Sequence, residues 1–220
     1  MKSHNYLILG LFFIFALCGV FYIGADLLNQ EEIPFMVESH GEYAFRTSNQ
    51  LVEDSDLVII GTAKKVESAR WGTLDGKMPE GVILVKSKDK NVPYESVTLN
   101  LKPGETVYTD TIFEVSEVYK GQIASKEVIV RTIGGTVDGL QFKSGYSEDY
   151  QIEKEYMLFL GKGWDYKNSK WTDEFYFALT PQARILLTEM DVGIDAEGKN
   201  IDIKELEKLL EENLNKDSVR

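Results

Sequence analysis

The sequence has little of the chemistry on which many enzymes and metal sites depend. Its one cysteine, Cys18, lies in an apolar segment near the N-terminus, so the rest of the chain has no thiol. This absence excludes disulfide bonds, thiolate metal sites and cysteine nucleophiles from the rest of the chain. The two histidines, His4 and His40, both precede the predicted domain. A histidine-based triad or a multi-histidine metal site inside that domain is therefore excluded.

Basic residues are scarce relative to acidic ones. The chain has 24 lysines and arginines against 36 aspartates and glutamates, which gives a formal net charge of −12 at pH 7. Such a surface repels phosphate backbones, so nucleic acid is not expected as a partner. It also disfavours a domain that lies flat on an anionic membrane.

One long apolar run is present at the N-terminus. Residues 6–25 carry no charge, and a helix of that length rises about 30 Å, enough to cross the hydrocarbon core of a bilayer. Lys2 precedes the run and acidic residues follow it, so the positive-inside rule predicts a cytoplasmic tail at 1–5 and an extracytoplasmic remainder. We expect an uncleaved single-pass anchor in the cell membrane. Two alternatives stay open: cleavage near Ala25, which would release a secreted protein, and lipid attachment at Cys18.

The longest stretch of strand-forming residues runs from Val107 to Gly121. Phe113 and Val115 alternate onto one face, which predicts that both point into a core. Val118 is three residues after Val115, so a bulge near Ser116 is needed to return both valines to one face. A long, bent strand with one buried face is typical of a small closed barrel.

Two helices are predicted from their capping residues. Thr47 and Gln50 have the spacing of a capping box, which begins a short helix at Ser48–Asp54. Asp202 and Glu205 have the same spacing at the start of an amphipathic C-terminal helix. Further strands are predicted at 57–67, 82–85, 97–101, 127–133, 155–160, 171–179 and 183–187, with a hairpin near residue 198.

These elements predict a mostly β fold. We expect a juxtamembrane spacer at 26–46, an OB-like closed β-barrel at 47–190, and a hairpin and amphipathic helix at 191–220 packed on the barrel. Glycine pairs are predicted to end two of the strands, Gly134-Gly135 after the strand at 127–133 and Gly161 with Gly163 after the strand at 155–160.

The order of these patterns resembles a known module. A short helix is followed by DLVIIGTAKKVES, TIFEVSEVYKG, EVIVRTIGG and EKEYMLFLGKG. The chain from Leu51 to Leu187 is similar to the netrin-like OB-fold domain of tissue inhibitors of metalloproteinases. It also resembles uncharacterised membrane-anchored extracytoplasmic proteins of Gram-positive bacteria. The inhibitors bind a protease zinc through an N-terminal cysteine, which has no counterpart after Cys18. The resemblance therefore implies the fold but not the inhibitory function.

Two groups of carboxylates raise alternatives to a binding module. The acidic residues of 191–202 have the ligand type of a weak calcium site, but their spacing does not match the EF-hand loop. Acid pairs such as Glu148 with Asp149, or Glu153 with Glu155, suggest a carboxylate-dependent hydrolase. A solvated acidic surface explains both groups without any site. We therefore predict no metal, no cofactor and no catalytic residues.

Four aromatic residues are the candidate binding residues. Trp164 and Trp171 flank the tip of a predicted hairpin, Tyr166 lies within the tip, and Trp71 occupies the first long connection. Exposed aromatic rings often dominate the energy of an interface, whereas buried ones anchor cores, and the sequence leaves both possibilities open. Lysines beside the tip form a basic spot on an acidic protein, which favours an anionic partner: Lys162, Lys167 and Lys170.

The sequence as a whole predicts a binding or structural module of the cell envelope, tethered to the membrane through residues 6–25. An envelope protein or a wall polymer is the expected partner. A cell-envelope hydrolase and a secreted protein remain the alternatives.

Overall fold

The computed structural model describes residues 34–39, 45–144, 150–188, 192–195 and 198–217. This part of the chain is mostly β, with two α-helices, α1 (Ser48–Asp54) and α2 (Ile203–Asp217). Within it, no helix is long and apolar enough to cross a membrane. The predicted anchor at 6–25 lies outside the described residues.

Thirteen strands are present in the described part of the chain. The first seven are β1 (Phe35–Ser39), β2 (Leu57–Val66), β3 (Arg70–Trp71), β4 (Val82–Lys86), β5 (Tyr94–Leu99), β6 (Val107–Lys120) and β7 (Glu127–Val137). The others are β8 (Leu140–Ser144), β9 (Glu155–Asp165), β10 (Lys170–Ala178), β11 (Arg184–Leu187), β12 (Val192–Ile194) and β13 (Asn200–Asp202). A 3-10 turn at Pro181–Ala183 separates β10 from β11.

Five of these strands close a β-barrel, as the sequence predicts. Strand β2 pairs antiparallel with both β6 and β9, β6 pairs with β7, and β9 pairs with β10. A single parallel pair between Tyr176 of β10 and Val130 of β7 closes the circle. Four of the five pairings between neighbouring barrel strands therefore extend over several residues. The fifth, between β7 and β10, consists of one residue pair.

The barrel interior is filled by aromatic and aliphatic side chains. Phe113 is fully buried, and its ring meets the rings of Tyr150 and Tyr156 edge to face at centroid distances of 4.8 and 5.9 Å. The remaining buried members of this cluster come from the inward faces of the barrel strands: Leu57, Ile59, Ala63, Val128, Val130, Leu158, Leu160 and Tyr176. The described side chains therefore fill the interior, as is usual for a small barrel.

The predicted bulge in β6 is confirmed. Val115 pairs with Gly61 and Val118 pairs with Ile59, whereas Ser116 has no opposite residue. The bulge thus keeps Val115 and Val118 on the face that lines the barrel. Val118 is nevertheless 42% exposed, so it lies beyond the part of that face that the core covers.

The outer face of β2 and β9 is covered by the two helices. Leu51 and Val52 of α1 and Leu206 and Leu210 of α2 pack against the outward side chains of these strands. This arrangement explains why the first half of β2 is continuously apolar, since Leu57 to Ile60 are buried on both faces of the strand. The Thr47–Gln50 capping box is present at the start of α1. The carboxylate of Asp202 accepts hydrogen bonds from the first turn of α2.

Part of the predicted spacer belongs to the sheet. Strand β1, at Phe35–Ser39, pairs in parallel with β8, which follows β7 by a tight turn. The β4–β5 hairpin covers their apolar side and forms a third core cluster with Trp71 and Val107. The prediction of a spacer throughout 26–46 is therefore wrong at residues 35–39, because their partner strand lies about 100 residues later and has a weak local pattern.

The glycine pairs were wrongly predicted to end their strands. Strand β7 continues through Gly134 and Gly135, whose φ angles of 125° and 122° bend it away from β6 and onto β8. Strand β9 likewise continues through Gly161 and Gly163 as far as Asp165.

Candidate functional site

Two of the candidate aromatic residues face each other across the β9–β10 hairpin. Trp164 and Trp171 are directly paired, with their ring centroids 5.1 Å apart and the rings nearly perpendicular. Trp171 is 66% exposed, whereas Trp164 is half-buried. The hairpin therefore supports one exposed indole ring on a second, partly covered one.

Glycine determines how this hairpin packs. A Cβ atom at Gly163 would lie 2.2 Å from the ring of Phe175, so the glycine makes room for that ring. The sequence predicted a different role for Gly163, as part of the glycine pair that ends the strand at 155–160. The structure shows a continuous strand at this position instead.

Tyr166 at the hairpin tip lies against a separate turn of the chain. Gly104, in the turn before β6, has a φ angle of 88°, and a Cβ atom there would lie 2.6 Å from Cδ2 of Tyr166. The ring of Tyr166 is thus in close contact with the Gly104 backbone, yet the residue remains 53% exposed. This contact fixes the hairpin tip beside the start of β6.

A cavity of about 300 Å³ opens beside the barrel at this position. Its aromatic lining consists of Tyr108, Tyr150, Trp164, Tyr166 and Phe177. Strands β7 and β10 pair only at Val130 and Tyr176, and their residues that line the cavity come directly after these two positions. The cavity therefore lies where the two strands are no longer paired. The exposed Tyr166 marks its opening to solvent.

One polar side of the cavity belongs to an ion cluster. Asp110 is 5% exposed and accepts hydrogen bonds from Nε and Nη2 of Arg131 at 2.7 and 2.8 Å. Arg70 adds a third contact to the same carboxylate at 2.8 Å. The guanidinium carbon of Arg131 also lies 3.8 Å from the centroid of the Phe175 ring. The two guanidinium groups offset the cost of removing this carboxylate from water.

Two residues that line the cavity have buried hydroxyl groups, Tyr150 and Thr180. Thr180 is 4% exposed and its Oγ1 has no hydrogen-bond partner, although the residue directly precedes the 3-10 turn. Tyr150 is 5% exposed, and burial raises the pKa of its hydroxyl while the nearby Arg184 guanidinium opposes that shift. The guanidinium carbon of Arg184 lies 5.4 Å from the Tyr150 ring.

The structure brings together three of the four candidate residues. Trp164 and Tyr166 line the cavity and Trp171 packs on Trp164. Trp71 is 1% exposed in the third core cluster, where it meets Phe142 edge to face and its Nε1 donates to Asp138 at 2.8 Å. Its burial leaves it no surface with which to touch a partner, so the structure assigns it a packing role.

The other residues of the cavity, and the carboxylate that holds Arg131 beside it, were not predicted from the sequence. Tyr108 and Asp110 lie on the face of β6 that the alternation marks as polar, yet both are buried. The β6–β7 register places Asp110 opposite Arg131. An acidic residue and an arginine on neighbouring predicted strands were the available signal, but the register needed to join them is set by tertiary packing.

Some of the carboxylates that suggested a calcium site or a hydrolase lie in the described part of the chain, and there they make structural contacts. Asp195 accepts a hydrogen bond from the Lys199 backbone within the β12–β13 hairpin, while Glu153 pairs with Lys64 at 2.8 Å. Glu155 accepts a hydrogen bond from Ser116. Asp191, Glu197, Glu148 and Asp149 lie outside the described residues. Within the described part of the chain, no group of three metal-ligating side chains occurs.

Comparison with known proteins leaves the chain without an assigned family: no family model matches it, and no curated protein matches it. The resemblance to netrin-like domains therefore stays a prediction.

Proposed function

We propose that this chain is a membrane-anchored binding module of the cell envelope. Its OB-like barrel would present the aromatic hairpin and the cavity beside it to an extracytoplasmic partner, and residues 6–25 would tether it. The closed five-stranded barrel is consistent with the OB-like part of this proposal. The anchor and its orientation rest on the apolar run and the charges around it.

One observation carries the proposal. Trp164, Tyr166 and Trp171 converge beside a cavity of about 300 Å³, and two of the three rings are more than half exposed. Large aromatic side chains lose little conformational entropy on binding and frequently dominate interface energies. Exposing two of them on a rigid hairpin next to a concave surface is costly for a domain that binds nothing.

The lining of the cavity favours binding over hydrolysis. Among the described residues that line it, the polar side chains are arginines, threonines, tyrosines and a serine, with no carboxylate. Glycoside hydrolysis requires two carboxyl groups that face each other across the substrate. We therefore prefer the binding module to the carboxylate-dependent hydrolase.

Site-specific photo-crosslinking in intact cells tests this proposal. A photoreactive amino acid replaces Trp171 in the full-length chain, and the control replaces Lys208, which is exposed on α2. We expect crosslinked products from position 171 that are absent at position 208. Identical products from the two positions, or none from position 171, would refute the proposal.

A second measurement separates binding from packing. Trp171→Ala is expected to leave thermal stability nearly unchanged, because substitutions at exposed positions usually alter stability by less than about 0.5 kcal/mol. The same substitution should abolish crosslinking from a photoreactive residue at position 166. If Trp171→Ala instead unfolds the domain, the ring is a packing residue and the proposed contact surface is wrong.

A further inference from the structure

The connection between β4 and β5 is rich in exposed lysine. We call residues 86–93 the basic loop, and its lysines are Lys86, Lys88 and Lys90. All three are exposed, and none forms an ion pair with another residue that the structure describes. Two carboxylates, Asp89 and Glu95, lie in the loop or just after it. Lysines therefore outnumber carboxylates here, whereas the whole chain carries a net charge of −12.

Short polar contacts within the basic loop hold its shape. The Asp89 backbone N–H donates to Oγ of Ser87 at 3.0 Å, and the Asn91 backbone N–H donates to Oδ1 of Asp89 at 2.9 Å. The Ser87 N–H also donates to the carbonyl of Pro93 at 3.2 Å. None of these contacts uses a lysine side chain, so the lysines can be substituted without loss of the loop conformation.

Exposed apolar side chains lie next to the lysines. Ile83 and Val85 are 57% and 46% exposed, whereas Leu84 between them packs in the third core cluster. Alternation along β4 therefore places both exposed side chains on the outer face of the hairpin, directly before Lys86. Lysines beside exposed apolar side chains suit an anionic membrane surface, because the headgroups attract the charges while the interface covers apolar area.

The chain enters the domain beside the basic loop. Phe35 begins β1, and its N–H donates to the carbonyl of Gly139, in the turn between β7 and β8, at 2.9 Å. The residue after the basic loop contacts the same turn, because the Tyr94 hydroxyl donates to the carbonyl of Asp138 at 2.8 Å. Nine residues, 26–34, separate the N-terminal apolar run from β1. A segment of this length spans at most about 30 Å, so the proposed anchor keeps the basic loop within reach of the bilayer surface.

We infer that the basic loop docks on the anionic lipid surface around the anchor, with its lysines at the phosphate headgroups and Val85 beside them. This inference rests on the anchor of the proposed function and adds an orientation for the domain. The contact is limited to one loop, so the acidic remainder of the domain does not lie flat on the membrane. A weak contact is sufficient, because a short tether gives the loop a high effective concentration at the membrane.

The acidic spacer is the competing partner for these lysines, since Glu31 and Glu32 lie shortly before Phe35 in the sequence. Carboxylates would neutralise the lysines but would offer Ile83 and Val85 no apolar surface. The exposed apolar side chains therefore favour lipid as the partner.

Photo-crosslinking in reconstituted vesicles tests the inference. The full-length protein carries a photoreactive amino acid in place of Val85. The control carries it in place of Lys126, an exposed residue that precedes β7 and so lies at the opposite end of that strand from the turn at 138–139. The vesicles contain phosphatidylcholine with or without phosphatidylglycerol. We expect lipid adducts from position 85 that require phosphatidylglycerol and decrease at high salt, and none of this dependence at position 126.

Charge reversal assigns the contact to the lysines. Lys88→Glu combined with Lys90→Glu should lower the yield of adducts from position 85 about fivefold or more, because each lysine near an anionic surface strengthens binding by about that factor. Lys126→Glu combined with Lys154→Glu is the matched control, since it changes the net charge equally at the end of the barrel where β7 and β9 begin. The control should leave the yield unchanged. Both variants should keep the wild-type melting temperature, because all four lysines are exposed.

Three results would overturn the inference: no lipid adducts from position 85, equal yields with and without phosphatidylglycerol, or equal yields in the two charge-reversal variants. An absence of adducts would leave the spacer carboxylates as the partner of the lysines. Flotation of the protein with phosphatidylcholine vesicles reports on the anchor separately. If the protein floats in any of these cases, only the inference falls; if it does not float, the anchor of the proposed function falls with it.

Discussion

Individual residues in this chain have roles that depend on which face of a strand they occupy. Successive side chains of β6 alternate between the barrel interior and its outer face, and Phe113 and Glu114 are neighbours with opposite orientations. Phe113 contacts two tyrosine rings inside the barrel, whereas Glu114 is exposed and lies 3.9 Å from Lys64. An ion pair of this kind, between exposed groups at the limit of contact distance, contributes little to stability.

This contrast gives a prediction for substitution by alanine. Phe113→Ala should lower the free energy of unfolding by about 3–5 kcal/mol, because it removes a buried ring and leaves a cavity. Glu114→Ala should change it by less than about 0.5 kcal/mol. Urea denaturation of the two variants measures both values. The reverse order would show that the assignment of the two faces of β6 is wrong.

The residues in and beside the cavity differ in how far the sequence predicts them. Trp164, Tyr166 and Trp171 were identified because they cluster around one hairpin tip, which is a local feature. Asp110 and Arg131 were not joined because they are 21 residues apart and meet only through the β6–β7 register. The sequence gives no local signal for Thr180, since the burial of its hydroxyl without a hydrogen-bond partner is set by tertiary packing.

Secondary-structure elements agree with the sequence-based predictions where neighbouring residues determine them. The bounds of α1 agree with its capping box, and the bulge in β6 agrees with the spacing of its valines. The parallel pairing of β1 with β8 was missed because neither strand has strong alternation and the two are far apart in the chain. Long-range pairing of weak strands depends on the core that covers them, here the cluster around Trp71.

The sequence predicts that Gly134 and Gly135 end β7, whereas in the structure they bend it, because glycine can adopt the backbone conformation of either a strand end or a bend. Gly135 has a φ angle of 122°, and a Cβ atom there would lie 2.4 Å from Thr109 Oγ1 and 2.5 Å from Ala69 Cβ. The residue thus combines a backbone conformation that L-residues avoid with a close approach to two neighbouring segments.

Substitution of this glycine is expected to destabilise the bend at which β7 stops pairing with β6 and begins to pair with β8. Gly135→Ala should lower the free energy of unfolding by about 3 kcal/mol or more, through backbone strain and overpacking together. Gly76 is the matched control, because its φ angle is also positive, at 71°, but nothing lies within 4 Å of an added Cβ atom. Gly76→Ala should cost only about 1–2 kcal/mol, which is the strain of the left-handed region alone. Chemical denaturation compares the two, and equal losses would contradict the close approach at Gly135.

At the scale of the whole molecule, the fold is expected to need neither metal nor oxidant. The chain from Gln30 onward has no cysteine and one histidine, His40. Its core is formed by three hydrophobic clusters in the described residues. Addition of EDTA or of a thiol reductant should therefore leave the thermal melting temperature unchanged. A large loss of stability with EDTA would instead support a calcium site among the acidic residues of 191–202.

Four buried or half-buried tyrosines make the stability of the fold sensitive to alkaline pH. Burial is the largest cause of a raised pKa at Tyr108, Tyr119, Tyr150 and Tyr176. Hydrogen bonds to the carboxylates of Glu117 and Glu207 raise the pKa of Tyr119 further and connect α2 to β6. A tyrosine with a raised pKa holds its proton more tightly in the folded chain than in the unfolded one. As pH rises through about 10, the unfolded chain therefore loses that proton first.

The stabilisation by these neutral hydroxyls is complete below about pH 10 and decreases above it, by about 1.4 kcal/mol per pH unit for each tyrosine that is ionised only in the unfolded chain. Tyr150→Phe removes one such group and should make the decline of unfolding free energy between pH 10 and 12 less steep. Thr180→Val is the control, since it removes a hydroxyl from the same cavity that does not ionise, and its slope should match that of the wild type. If the unfolding free energy of Tyr150→Phe declines as steeply as that of the wild type in urea denaturation at these pH values, Tyr150 ionises alike in the folded and unfolded chains, and the burial of its hydroxyl is wrong.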